Sequence, residues 1–424
     1  MLAVNTAAIG NMHSMQQHDS EQAVVTLSRD VKACLHAQQH DSHTSLICHA
    51  ASVLSEPDAQ CKADKTCIIA GLWNNRQLVP GSNDAVRLSE RPGRDDTKVK
   101  VVAPGKVPGL GKGGSLASRQ AVLHSLVHIE SWAVDLSWDI IARFGCNSIY
   151  NLPDAFLDDF VQVAVDEAKH FQQLQHRLTA IGSHYGALPV HDGLWESAAA
   201  TAHSLPARLA VESCVHEARG LDRLPHTIKR FQNAGDDESA QLLEKIYQEE
   251  IAHCAAGVRW LTWLHTQASL ACLHGHPKPA TCQQKVSLAQ TAQASQDTPS
   301  SQDSTRCPNL ELNSKCLSTA PVSTAAAGIS DPVHAKGVLC DGQKESAAPR
   351  CIDNNCTEEA KNHDGKILDW QADAQQYGTV EEWFHALVRA NFKGSLKPPF
   401  NEAARAAAGF GPQWYLPLAA EVIR

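Results

Sequence analysis

Apolar residues recur at three- and four-residue steps most persistently between about Ser115 and His265, where they divide into four long helical patterns. The first runs from about Ser115 to Phe144. The second follows Leu152, with Pro153 suited to a first turn, and ends near Ile181 before Gly182. The third runs from about Pro206 to Asn233, with Gly235 following. Pro225 is expected to kink or break it about two turns past Glu217, because its ring displaces a helical hydrogen bond. The fourth runs from about Asp237 to His265, and Asp236, Asp237 and Glu238 suit the positive end of its dipole. No strand alternation interrupts these segments. Long helices of matched length predict an all-α fold, a four-helix bundle over 115–266.

The flanking segments read differently. Within an N-terminal region, 1–114, Glu21 to Ala37 suits one amphipathic helix. Residues 91–114, RPGRDDTKVKVVAPGKVPGLGKGG, cannot continue a helix and predict an extended tether. Gly109, Gly111, Gly113 and Gly114 match neither phosphate-loop pattern. Residues 267–364 are rich in Ser, Thr, Gln, Ala, Asn and Pro and hold no aromatic residue. Such a stretch buries too little apolar surface to offset its ordering entropy, and a long disordered insertion is expected. In the last region, 365–424, Val380 to Ala390 predicts a short helix, and the tail KPPFNEAARAAAGFGPQWYLPLA is apolar enough to dock on the bundle.

Composition narrows the function classes. A net charge of -9 over 424 residues argues against a broad nucleic-acid-binding surface. No apolar run approaches the roughly 18 residues of a membrane span, so a protein without a membrane partner is expected. The start lacks the basic and apolar regions of a secretory signal, which makes the cytoplasm the expected compartment and leaves an organelle open. The 14 cysteines include no C-x-x-C pair, which excludes a zinc knuckle and leaves reduced thiols.

The chemistry lies in acids and histidines that interrupt the apolar stripes. The second stripe reads Phe156, Phe160, Val163, then Glu167 and His170, then Leu174, Leu178 and Ile181. The fourth reads Leu243, Ile246, then Glu250 and His253, then Gly257, Trp260 and Leu264. In the first, Leu123 and Leu126 lead to Glu130, then Ala133 and Val134. In the third, Ala210 and Cys214 lead to Glu217, then Leu221, Leu224 and Ile228. Two helices thus offer E-x-x-H and two offer a single Glu, the ligand set of carboxylate-bridged dinuclear metal proteins. Residues three apart are neighbours on a helix surface, so each Glu and His can converge on one ion. Four buried carboxylates would be very costly unpaired, and two divalent ions would offset their charge. Any one such residue is more often a boundary group or an ion-pair partner; the repetition on four helices carries the metal reading.

Other polar residues rank lower. His124 and His128 read as outer partners or boundary histidines. Asp166 and Glu249 are rotated about 100° from the neighbouring glutamates and are expected to be solvated. Glu212 falls on another face than Glu217 and reads as a salt-bridge residue. Trp132, Trp138 and Trp260 read as core.

The segments HIE at 128–130, DEAKHF at 166–171, HDGLWE at 191–196, EARGLD at 217–222 and EEIAH at 249–253 resemble the ferritin-like family catalogued as domain of unknown function 455. That family is similar to the diiron transfer-RNA hydroxylases and rubrerythrin-type proteins. The resemblance implies a ferritin-like bundle with a diiron or similar site at Glu130, Glu167, His170, Glu217, Glu250 and His253. It supplies no reaction. Oxygen-rich ligands with two imidazoles suit two iron ions, or manganese. The expected function is oxygen-dependent hydroxylation or oxidation of a small organic substrate or a modified nucleoside. Dioxygen and a ferredoxin-like or flavin reductase would be its partners, and the chain a monomer or homodimer. The alternatives are a non-catalytic protein for iron handling or peroxide scavenging, and a metal-stabilised scaffold.

Overall fold

The computed structural model describes residues 45–83, 86–273 and 369–419. The expected helix at Glu21–Ala37, and residues 274–364 of the expected insertion, lie outside the described residues. Among the described residues the protein is all-helical, and extended pairing is confined to isolated bridges at Ser45–Val79 and Val101–Val190.

Two helices, α1 (Leu46–Ser55) and α2 (Ala59–Asn74), precede the region of strongest periodicity. The long helix α3 (Leu116–Phe144) starts where the Ser115 hydroxyl accepts from the Ser118 N–H, satisfying one of the donors a helix start leaves free. After α4 (Asp154–Ala180), Gly182 turns the chain with φ +79°, a conformation open to glycine at little cost. A short helix α5 (Gly193–Ala200) precedes α6 (Leu205–Arg208), a π-helical segment (Leu209–His216) and α7 (Glu217–Asn233), which run on as one rod. The last long helix is α8 (Asp237–Leu273). C-terminal to it come α9 (Trp370–Ala374), α10 (Val380–Asn391), α11 (Glu402–Ala407) and α12 (Pro412–Ala419).

Helix α3 packs along α4, α8 packs on α7 and on the π segment, and α4 and α8 also touch. The stripes face inward: Phe156, Leu174, Leu178, Leu243 and Leu264 have no exposed surface. Helices α1 and α2 belong to the same core, α1 against α3 and α2 against α4. Trp138 donates to the Thr66 hydroxyl at 2.8 Å, and Trp73 to Asp158 at 2.8 Å. The tail lies on α7 and α8 through α11. There Arg405, 3% exposed, grips both Asp222 oxygens and sits 4.4 Å from the Tyr415 ring centre and 4.8 Å from that of Phe400.

Several expectations need correction. Pro225 does not break the third rod, because α7 continues through it to Asn233. The irregularity falls earlier, in the π segment. The fourth helix does not stop at His265 but extends to Leu273, so 267–273 is helical rather than disordered. The reason is tertiary. His265 donates to the Tyr377 carbonyl at 3.2 Å and Gln375 to that of Ala268 at 2.7 Å, so the C-terminal region covers the extra turns. The N-terminal region holds two packed helices that were not anticipated: α1 is short, and α2 carries too little periodicity to be recognised.

Gly257 marks where α8 meets the π segment. A Cβ at this position would overlap the Ser213 carbonyl oxygen, and backbone cannot swing aside as a flexible side chain does. Gly257→Ala should therefore cost about 1–3 kcal/mol, as overpacking does. A denaturant midpoint equal to that of the wild type would show that the approach is not tight.

Candidate metal centre

The six side chains that interrupt the stripes are brought together. Glu130 projects from α3, Glu167 and His170 from α4, Glu217 from the start of α7, and Glu250 and His253 from α8. His170 is fully buried, Glu167 is 2% and His253 3% exposed, and Glu217 is the most accessible of the set. Their donor atoms form two overlapping groups, each within 4.8 Å: Glu130, Glu167, His170 and Glu250 in one, and Glu167, Glu217, Glu250 and His253 in the other. Glu167 and Glu250 belong to both.

Both imidazoles present Nδ1 to this centre. His170 Nδ1 lies 3.5 Å from Glu167, 3.4 Å from Glu250 and 4.0 Å from Glu130. His253 Nδ1 lies 2.9 Å from Glu167 and 3.5 Å from Glu250. None of these contacts is aligned as a hydrogen bond, and both Nδ1 atoms and Glu167 Oε2 are buried without a partner. Orphaned buried polar atoms are costly. These converge on common points, as the ligands of a cation would. The donor set fits one or more metal ions of hard or intermediate character.

Electrostatics within the cluster divides the groups. Burial pushes the carboxyls of Glu130 and Glu217 well up, and neighbouring carboxylates push them further. Burial also opposes charge on Glu167 and Glu250, but the facing histidines outweigh it and hold both down. The histidines respond in kind. Burial disfavours their charged forms, yet the carboxylates raise His170 to about 11 and His253 well above its usual range. These directions favour protons on Glu130, Glu217, His170 and His253 and negative charge on Glu167 and Glu250, a set that balances the charge of the metal-free cluster.

The outward nitrogens correct the reading of Asp166 and Glu249 as solvated. Glu249 Oε2 is 2.8 Å from His170 Nε2, and Asp166 Oδ2 is 3.7 Å from His253 Nε2. Each E-x-x-H histidine thus faces the acid that precedes the glutamate of the other motif. Asp166 also accepts from Gln162 and Lys169, and these partners with His253 outweigh burial and hold its carboxyl at about 2. The available signal was the repeated acid immediately before each E-x-x-H. The rotation about the helix is as expected; the missing information was which neighbouring helix lies on that side.

Glu212 does pair with His216, at 3.9 Å, but it does not lie on another face than Glu217. It is 4% exposed, accepts from the Ser197 hydroxyl at 2.7 Å, and helps to line a cavity of about 30 Å³ with Glu167, Glu217 and His253. Its Oε2 has no hydrogen-bond partner. In an α-helix a residue five before Glu217 would lie on another face. The i to i+5 bonding of the π segment turns Glu212 toward the same side as Glu217. His124 and His128 stay away from the cluster. His124 Nε2 accepts from the Gly186 and Leu188 amides, and His128 bonds the Tyr185 hydroxyl and the His191 carbonyl, so both secure the loop after α4. Trp132, Trp138 and Trp260 are buried.

These features define an all-helical protein with a buried Glu/His cluster able to hold metal. The chain belongs to the family described as protein of unknown function (DUF455), whose model matches residues 55–301. An uncharacterized protein of Haemophilus influenzae is 35% identical over 189 residues, a span of 43% of this chain and 62% of that protein. The chain therefore spans less than two thirds of that relative. No solved structure matches it. No helix among the described residues is long and apolar enough to cross a membrane.

Two outcomes follow from the geometry. Filling the cluster with divalent metal should displace up to four protons per chain, one each from Glu130, Glu217, His170 and His253. Calorimetry in buffers of different ionisation enthalpy counts them, and affinity should climb with pH as protons compete less. The sign for the metal-free protein is opposite. The raised His170 contributes stability fully below about 6.5 and loses it as pH rises toward about 11, so the melting temperature should fall over that range. Separately, Asp166→Asn and Glu249→Gln should weaken metal binding about 10–100-fold by misorienting the imidazoles. Glu244→Ala, exposed on the same helix α8, should leave binding unchanged.

Proposed function

We propose that this protein is a ferritin-like four-helix bundle, formed by α3, α4, the α6–π–α7 rod and α8, that carries a dinuclear iron centre and performs oxygen-dependent oxidation or hydroxylation. The observation that carries this reading is the pair of overlapping four-residue groups. Glu130, Glu167, Glu217 and Glu250 would hold the ions through carboxylate oxygens, with Glu167 and Glu250 available to both. His170 and His253 supply one imidazole to each ion. Two divalent ions against four carboxylates give a neutral site, as burial requires. Manganese suits the same donors.

Two reduced iron ions, when bound, supply paired redox chemistry toward dioxygen. The chain's own residues set the conditions for it. Glu249 accepts from the outer nitrogen of His170 and leaves its Nδ1 free to ligate, and Asp166 faces the outer nitrogen of His253 as a charge partner at 3.7 Å. Phe160, Val163 and Ile140 give the small cavity beside Glu217 and His253 an apolar lining. Glu212 places a hydrogen-bonding carboxyl on its wall. Turnover requires electrons from outside, and a ferredoxin-like or flavin reductase is the partner proposed. The organic substrate is a small molecule.

A second reading draws on the cavity itself. At about 30 Å³ it holds dioxygen, peroxide or water but not an organic substrate without movement of its walls. That favours iron handling or peroxide scavenging, in which the small oxidant is the sole molecule to enter. Anaerobic ferrous titration of the purified chain should give close to two ions per chain, and admitting dioxygen should change the near-ultraviolet spectrum. Glu167→Ala and His253→Ala should lose both responses. Rapid consumption of peroxide with no organic acceptor would select the second reading. A single tightly held zinc ion with no response to dioxygen would defeat both and leave a scaffold.

A further inference from the structure

A second concavity lies across α3 from the cluster. His128 and Trp132 each stand two residues from Glu130, roughly 200° around the helix, and both line a pocket of about 220 Å³ that Glu130 does not reach. The loop at 91–101, the start of α2, the end of α4 and the loop before α5 close its other sides.

Three polar atoms of its lining residues are buried without a hydrogen-bond partner: Arg94 Nε, Trp132 Nε1 and Asp192 Oδ1. Arg94 and Trp132 are adjacent, and Arg91 links Asp192 to the same ring. The Arg94 guanidinium lies 3.7 Å from the Trp132 ring centre and that of Arg91 5.7 Å. Arg91 in turn pairs with Asp192 Oδ2 at 2.8 Å, leaving Oδ1 free and 3.9 Å from His128 Nε2. The other Arg94 nitrogens are committed to Ser131 and Asp135. Asp135 is also paired with Lys62 at 2.5 Å, and side-chain exposures of 8%, 1% and 0% for Arg94, Lys62 and Asp135 put two buried cations on one carboxylate. Burial, with Arg94 adding to it, draws Lys62 down to about 8 despite Asp135.

The two unsatisfied donors of Arg94 and Trp132 call for an acceptor at that side of the pocket, and a carboxylate offers two oxygens to two N–H groups. The unsatisfied Asp192 oxygen calls for a donor on the same molecule. His128 and Tyr185 satisfy each other at 2.8 Å and leave a neutral wall between them and Phe171. We infer that this pocket binds a small carboxylic acid with a hydrogen-bond donor next to the carboxylate, of the amino-acid or hydroxy-acid type, at a site separate from the metal cluster.

The test uses the full chain without added metal, so that failure of the cluster and failure of the pocket are read apart. L-Alanine, L-lactate and propionate present the same carboxylate with an ammonium, a hydroxyl or no donor. L-Phenylalanine, L-phenyllactate and phenylpropionate repeat the series with more bulk. Tryptophan fluorescence and thermal shift should show saturable binding of an amino or hydroxy acid, at least about tenfold tighter than its donor-free counterpart. Whichever of the two binds better identifies the donor. Trp132→Phe, which keeps the ring and deletes the N–H, and Asp192→Asn should each weaken binding about tenfold. Their helical circular dichroism and their capacity for iron should match the wild type. Absence of binding by all six acids up to about 10 mM would overturn the inference. Equal binding of the donor-free acids, or variants that bind like the wild type, would overturn it as well.

Discussion

Four carboxyls and two imidazoles held inside an apolar interior must sum to nearly zero charge, and the rest of the structure accommodates that requirement. Without metal, protons serve it: burial and neighbouring carboxylates favour the protonated forms of Glu130 and Glu217, while the facing histidines favour charge on Glu167 and Glu250. With metal, two divalent ions would meet it. Ligand exchange of this kind asks for side chains that keep their positions in both states, because a cluster that relaxes into ordinary ion pairs would no longer present its lone pairs together. The misaligned 2.9 Å approach of His253 to Glu167 shows such a hold, with proximity enforced and no hydrogen bond formed.

That hold is built in layers. Glu249 fixes the far side of the His170 imidazole by a hydrogen bond from α8 to α4, and Asp166 faces that of His253 at 3.7 Å from α4 to α8, so each acid reaches across from the partner motif. Gly257 lets α8 approach the π segment closely, and the π segment brings Glu212 to the same side as Glu217. Farther out, Arg405 ties the C-terminal region to Asp222, one turn beyond Glu217 on α7. Lys62 ties α2 to α3 through Asp135, one turn beyond Glu130. Buried ion pairs of this sort add little net stability, but losing one partner is expensive, which favours a single arrangement of the helices.

The same Lys62–Asp135 link connects the cluster to the pocket behind α3. One helix presents Glu130 to one side and Trp132 to the other, and Asp135 shares its charge between a structural lysine and the Arg94 that lines the pocket. The loop joining α4 to α5, held by His124 and His128, closes the pocket rather than the cluster. The helices that carry the Glu/His cluster thus also line a pocket of different character.

Periodicity alone was sufficient to mark α3, α4 and α8 at their starts and to pick out Glu130, Glu167, His170, Glu217, Glu250 and His253, because a charged residue inside an apolar stripe is visible wherever the stripe is long. The stop at Gly182 was legible from the local sequence as well. Helices α1 and α2 were not, since α2 buries Lys62 and Thr66 along with its apolar residues and so shows no clean stripe. The end of α8 depended on the C-terminal region packed over it, more than a hundred residues away in sequence. The roles of Asp166, Glu249 and Glu212 depended on which helix lies opposite and on a π turn, neither of which a helical wheel contains. Sequence specified which side chains face inward; only the packing of helices against one another decided which of them meet.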